Sequence, residues 1–221
     1  MYILFVNVKL SMFKDRNHAG IELAKKFLDN YSNPLVYAIP RGGVEIGFHI
    51  AKKFNCSLRI INSKKLGAPN NPELAIGSVS QNGIFWLDHN LIDSLNISKS
   101  YIENEIQKQL FELSSRNDIY KKFSFNENIS NHDVIVVDDG IATGYTMKSS
   151  IFLLKKYNPK NIIIATPIIS YDIKIEFDKL VDDIISLDVS STMLSIGSFY
   201  EDFSQLTHEN VITLLEKSFK N

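Results

Sequence analysis

Residues 134–146 read Val134-Ile135-Val136-Val137-Asp138-Asp139-Gly140-Ile141-Ala142-Thr143-Gly144-Tyr145-Thr146. The β-branched run Val134 to Val137 does not alternate with polar residues, so it predicts a strand covered on both faces. Two carboxylates stand where that strand ends. A turn rich in Gly and Thr follows and opens a helical pattern over Thr143 to Tyr157.

The same alternation recurs on either side. Leu35 to Ile39 is an apolar run stopped by Pro40-Arg41-Gly42-Gly43, and a helix carrying Val44, Ile46, Ile50, Ala51 and Phe54 comes next. Leu58 to Ile61 reads as a strand, as do Asn161 to Ala165 and Ile184 to Leu187, with a helix around Ile173 to Leu180 between the last two. Buried strands alternating with helices predict an α/β fold with a mostly parallel central sheet and helices on both faces. Ligands of such sheets sit beyond the carboxyl ends of the strands, so the turns there are where chemistry is sought.

The remaining segments are less regular. A helical pattern begins at Met12 to Arg16, carries Ala19, Leu23, Phe27 and Leu28, and ends near Asn30 to Pro34. Residues 1–12 read as an extension or an extra strand, and either Met1 or Met12 is the start. Ser63 to Pro72 is polar and contains prolines, which predicts a mobile loop, after which Leu74 to Val79 and Ile84 to Leu87 form two strands joined at Gln81-Asn82-Gly83. Ser98 to Phe123 reads as a long packing helix with Tyr101, Ile102, Ile106, Leu110, Leu113 and Tyr120 along one stripe.

Composition narrows the function classes. In 221 residues, 24 Lys plus Arg balance 25 Asp plus Glu, for a formal net charge of -1, so no basic field points to DNA. A single cysteine, Cys56, rules out an internal disulfide and suits a reducing, cytoplasmic setting. The apolar start MYILFVNVKL breaks at Asn7 and Lys9, too soon for a signal peptide or a membrane span. The five histidines show no metal-ligand spacing, although His18 with Asp15 and Arg16 could line a site.

The quoted stretch has its own chemical logic. Backbone N–H groups at a helix start, aided by the Thr143 and Thr146 hydroxyls, hold a phosphate, and glycines let the backbone approach it closely. Adjacent carboxylates accept hydrogen bonds from vicinal sugar hydroxyls and help hold a hard cation such as Mg2+. Plain capping and turn formation would account for one such carboxylate and glycine, less well for two of each with two threonines. The string is neither a Walker loop nor a dinucleotide fingerprint.

VIVVDDGIATGYT resembles the phosphoribosyl pyrophosphate (PRPP) motif of the type I phosphoribosyltransferases. DRNHAGIELAKKF, AIPRGGVEIG, KKLGAPNNPELAIGSV and IGSFYEDF together resemble a subgroup of predicted bacterial phosphoribosyltransferases, from about Phe13 to the C-terminus. The resemblance implies one domain over 13–221, with a core of about 34–187 and a small hood from the N-terminal helix and about 188–205. Asp138 and Asp139 would contact the ribose, Gly140, Ala142, Thr143, Gly144 and Thr146 would cradle its 5′-phosphate, and Mg2+ would ride chiefly on PRPP. Arg41, Gly42 and Gly43 would take the pyrophosphate; independently, a guanidinium fork beside exposed N–H groups suits that anion. Lys65, with Lys64 as second choice, would close over the transition state, and Glu73 would be an acid-base group, a partner of Arg41 or an exposed loop carboxylate.

What the resemblance implies, then, is an enzyme of nucleotide and nucleoside metabolism, moving a phosphoribosyl group from PRPP to a nitrogenous acceptor and forming a homodimer. Several proteins of this kind keep the ligand loop without catalysis, so a PRPP-sensing regulator is the alternative, with a Mg2+-dependent nucleotide hydrolase third. Ser195 to Phe203 faintly resembles a base-binding segment, although Phe199, Tyr200 and Phe203 would also serve as core aromatics. Ala142 stands where 6-oxopurine enzymes carry an aspartate, which argues against hypoxanthine and guanine and leaves the acceptor open.

Overall fold

The computed structural model describes residues 12–28, 31, 34–125 and 128–219. The expected extension over residues 1–12 lies outside them except for Met12, as do residues 30, 32 and 33 of the stretch near Asn30 to Pro34 where the first helix was expected to end. Chain order is α1 (Arg16–Lys26), β1 (Leu35–Ala38), α2 (Gly42–Phe54), β2 (Leu58–Ile60), β3 (Ser63–Ala68), β4 (Asn71–Ser80) and β5 (Phe85–Leu87). There follow α3 (His89–Ser94), α4 (Lys99–Tyr120), β6 (Asp133–Val137), α5 (Tyr145–Lys155), β7 (Asn161–Ser170), α6 (Tyr171–Phe177), β8 (Asp183–Ser190) and α7 (His208–Phe219).

Five strands form one sheet in the order β2-β1-β6-β7-β8, with every neighbouring pair parallel. β6 lies at its centre and is buried along its whole length, as its unbroken apolar run requires. Side chains alternate across the sheet: Ile135 and Val137 pack with α1, α2 and α7, while Val134 and Val136 pack with α5 and α6. From β1 the chain proceeds outward to β2, and from β6 it proceeds the other way to β7. The carboxyl ends of β1 and β6 therefore flank a topological switch point, the crevice where ligands of open α/β sheets bind.

Ser63 to Pro72 differs from the expected mobile loop. It forms β3 and the start of β4, and with β5 it builds a separate antiparallel flap. Leu66 and Ala68 bury against Ile106 and Leu113 of α4, an apolar partner that lies far away in sequence. The flap is tied to α5 by Ser63 Oγ donating to Thr146 O (3.0 Å) and Ser78 Oγ donating to Tyr145 O (2.7 Å). Lys148, itself buried, adds a bond to Glu176 at 2.7 Å and lies 4.3 Å from the centroid of the Trp86 ring.

Other boundaries shift. α1 begins at Arg16, capped by Asp15 through His18 N (2.6 Å), and ends at Lys26, which leaves Leu28 exposed. Helix α5 starts two residues later than expected, after Gly144 at φ 70°. α7 was not foreseen, yet Val211 and Leu215 bury completely against the α1 and α2 side of the sheet. Cys56 follows the end of α2, and burial pushes its thiol up to about 11, a structural rather than reactive cysteine. No helix among the described residues is long and apolar enough to cross a membrane.

If the central strand carries the fold, Ile135→Ala costs about 2–5 kcal/mol in unfolding free energy. Leu194→Ala, at a fully solvated position, stays within about 0.5 kcal/mol. Urea unfolding midpoints of the two variants check both values.

Candidate active site

β6 is clamped on both sides up to its end: Ile39 N donates to Val137 O (2.9 Å) and Asp138 N to Ala165 O (3.2 Å). The next turn is anchored at its middle, where Ile141 N donates to Ile168 O and Ser170 N to Ile141 O, each at 2.9 Å. β7 continues to Ser170, beyond the expected end at Ala165, because its pairing with β8 runs on through Thr166, Ile168, Ile169 and Ser170. Between Asp138 and α5 the chain encloses a hollow of about 140 Å³, lined by Gly140, Ala142, Thr143, Gly144 and Thr146 among others. Gly144 sits in the left-handed region, and no side chain caps α5, so its first-turn N–H groups have the arrangement that binds anions.

The turn after β1 presses directly on the acidic one. A Cβ on Gly42 would lie 1.8 Å from Asp139 Oδ2, and one on Gly43 would lie 2.6 Å from Val137 O. Neither glycine has a positive φ, so close packing, not backbone freedom, demands glycine here. The Pro40–Arg41 peptide is cis. Arg41 lines the cleft in front, its side chain paired with no carboxylate among the described residues.

Arg16 was weighed from sequence only as a lining residue; the structure makes it central. Its Nε donates to Asp139 Oδ2 at 2.6 Å, its Nη1 donates to Ser204 O at 2.7 Å, and its guanidinium carbon lies 3.8 Å from the centroid of the Phe203 ring. Nothing within the helix pattern of α1 could have revealed contacts 123 and 188 residues away. Tyr200 completes the brace by donating its hydroxyl to Asp139 O at 2.6 Å. Segment 12–14 pairs with 199–202 through four backbone bonds of 2.8–3.0 Å, which docks the start of α1 onto the C-terminal region. Phe199 and Tyr200 are core aromatics, whereas Phe203 remains partly exposed at the cleft.

A cleft of about 770 Å³ gathers Arg41, Gly42, Lys64, Lys65, Asp138, Asp139 and Thr146 with Arg16. Gly43 stays behind its wall, and the remaining glycine and threonine positions line the adjoining hollow. Lys64 pairs with Glu112 of α4, and Lys65 pairs with Glu73 at 2.6 Å. Glu73 is thus a partner of Lys65 and not of Arg41. Ile196, Phe203, Leu206, Tyr120 and His208 also line the cleft, and Tyr120 Oη and His208 Nδ1 are 2.5 Å apart. Among the described residues no group of three or more His, Cys, Asp or Glu could hold a metal.

The family model described as the phosphoribosyl transferase domain matches residues 11–202. The chain belongs to the phosphoribosyl transferase family. Within it, the chain is 27% identical over 213 residues to a Mycobacterium tuberculosis protein provisionally named a phosphoribosyl transferase, covering 96% of this chain and 48% of that one. It therefore spans about half the length of the curated relatives it matches. A crystal structure of the Thermus thermophilus protein TT1426 is 30% identical, with a TM-score of 0.78 over 93% of this chain and 98% of that one. A short match, 44% identical over 52 residues, links 22% of the chain to 24% of a uracil phosphoribosyltransferase from Ureaplasma parvum. The expected type I family and α/β fold are borne out.

Electrostatics distinguish the two aspartates. Burial, then the charge of Asp139, pushes the Asp138 carboxyl well above the usual carboxylate range. The folded chain therefore holds this proton more tightly than the unfolded one, and folding takes up a proton between 3.8 and the raised value. Stability from this group is fully present below 3.8 and is lost as pH rises through the folded value. Asp138→Asn, which keeps an oxygen acceptor but cannot ionise, should gain stability relative to the parent as pH rises. Urea midpoints from about pH 4 to about pH 8 measure that difference, and a pH-independent difference would contradict the assignment.

Proposed function

We propose that this site transfers a 5-phosphoribosyl group from PRPP to a nitrogen of a base-like acceptor, with pyrophosphate leaving. The observation that supports this most is the convergence at one switch point of an acidic strand end, a phosphate-sized hollow and a second glycine turn beside an arginine that no carboxylate engages among the described residues. Asp138 and Asp139 receive the ribose hydroxyls, and the hollow from Gly140 to Thr146 holds the 5′-phosphate. With the sugar held at both ends, C1′ faces the acceptor at a constant angle.

Charge then has to be balanced at the other end. As the C1′–oxygen bond breaks, the electron pair leaves with pyrophosphate, and Arg41, the Gly42 and Gly43 turn and Lys65 stabilise that growing negative charge. Lys65 is a half-exposed residue of the flap, paired with Glu73, so on binding it exchanges one anionic partner for another. The new nitrogen–C1′ bond forms as the acceptor's proton passes to the departing pyrophosphate. Two carboxylates, one already engaged by Arg16, suit Mg2+ carried mainly by substrate oxygens, and when bound the ion neutralises pyrophosphate charge. The apolar side chains of the cleft, Ile196, Phe203 and Leu206, suit a flat ring.

Calorimetric titration with PRPP and Mg2+ tests the reading. Asp138→Asn combined with Asp139→Asn should weaken PRPP binding by at least roughly a hundredfold while the unfolding transition remains cooperative. Unchanged affinity would remove the ligand assignment. A pyrophosphate-release screen across purines, pyrimidines and other nitrogenous rings then separates the transferase from a binding-only protein.

A further inference from the structure

Arg16 reaches the cleft from α1, outside both glycine turns, and three contacts hold it there. A guanidinium has five N–H groups. Nε is committed to Asp139 and one Nη1 proton to Ser204 O, while one face of the plane lies against Phe203. No other hydrogen bond to this side chain exists among the described residues, although the side chain is only 8% exposed. Among those residues no buried side-chain nitrogen or oxygen lacks a partner, so Nη2, which has none, keeps its access to solvent, and Arg16 lines the cleft. Its Nε would lie 2.9 Å from a Cβ on Gly42, which sets the guanidinium directly against the turn assigned to pyrophosphate.

We infer that Arg16 is a second pyrophosphate-binding residue, donating its free Nη protons to the diphosphate of PRPP beside Arg41; this rests on the reading of the cleft as a PRPP site. The planar fork matches phosphate oxygens, and its rotamer is already held, so little ordering is needed on binding. Asp139 takes part of its charge, and the carboxylates of Asp138, Glu45 and Asp202 also feel it. Burial pushes the Glu45 carboxyl up, which limits its opposition to an incoming anion. The contribution of Arg16 is therefore directional N–H donation, and Arg41, Lys64 and Lys65 supply the positive field.

The test uses the full chain, Mg2+ and three probes in calorimetry: inorganic pyrophosphate, PRPP and ribose 5-phosphate. Arg16→Lys keeps a charge beside Asp139 and loses the fork, while Arg16→Gln loses both. Affinity for pyrophosphate and PRPP should fall about tenfold in Arg16→Lys and further in Arg16→Gln, with ribose 5-phosphate within about twofold of the parent. Unchanged pyrophosphate affinity overturns the inference. So does an equal loss for ribose 5-phosphate, because that would mark a general collapse around Asp139. If the parent binds none of the three probes, the reading of the cleft fails first. Should the variants not fold, the Arg16 guanidinium nitrogen resonances of the parent decide it: they should move with pyrophosphate and not with ribose 5-phosphate, and unmoved resonances overturn the inference.

Discussion

A carboxylate lies against a glycine. Asp139 Oδ2 occupies the space that any side chain at position 42 would need, and Arg16 closes it from the other side. This one contact ties the ends of β1 and β6, the first turn of α2 and the first turn of α1. Largely burying a carboxylate at the wall of a cleft is costly unless it is paired and hydrogen-bonded, and the pair forms only while all four elements stay in place. The site and the local fold are thus held by the same interaction.

Around that point the protein combines rigid and movable parts. The hollow at the start of α5 is anchored to β7 through Ile141 and roofed by Ile196, against which a Cβ on Gly140 would collide at 2.4 Å. Lys64 and Lys65 instead belong to the flap, where each is held by an ion pair that is at least partly exposed. Exposed pairs are worth little and exchange easily, so these lysines can rearrange at small cost, whereas Arg16 cannot. A sugar phosphate would meet a preformed cradle, and the leaving group a more adaptable wall.

Much of this was legible in the chain. Val134 to Val137 announced a doubly covered strand, and Pro40-Arg41 announced the break after β1, although Gly42 and Gly43 already belong to α2, because local runs of β-branched residues and breakers act through short-range sterics. The flap was misread because its strands are short, polar at one end and dependent on α4 for their apolar partner. Arg16 was underweighted for a related reason: its partners, Asp139, Phe203 and Ser204, have no periodic relation to it.

The sequence by itself determined the parallel α/β order, the acidic turn with its phosphate-type loop, and the family resemblance, since these reside in contiguous residues and backbone preference. Only the tertiary structure decided that Gly42 is glycine for the sake of Asp139, that Glu73 serves Lys65 rather than Arg41, and that a guanidinium from α1 stands against Gly42 and Asp139. Those facts depend on which distant side chains meet once strands close to hydrogen-bonding distance and helices pack over them, and a linear pattern carries no record of such meetings.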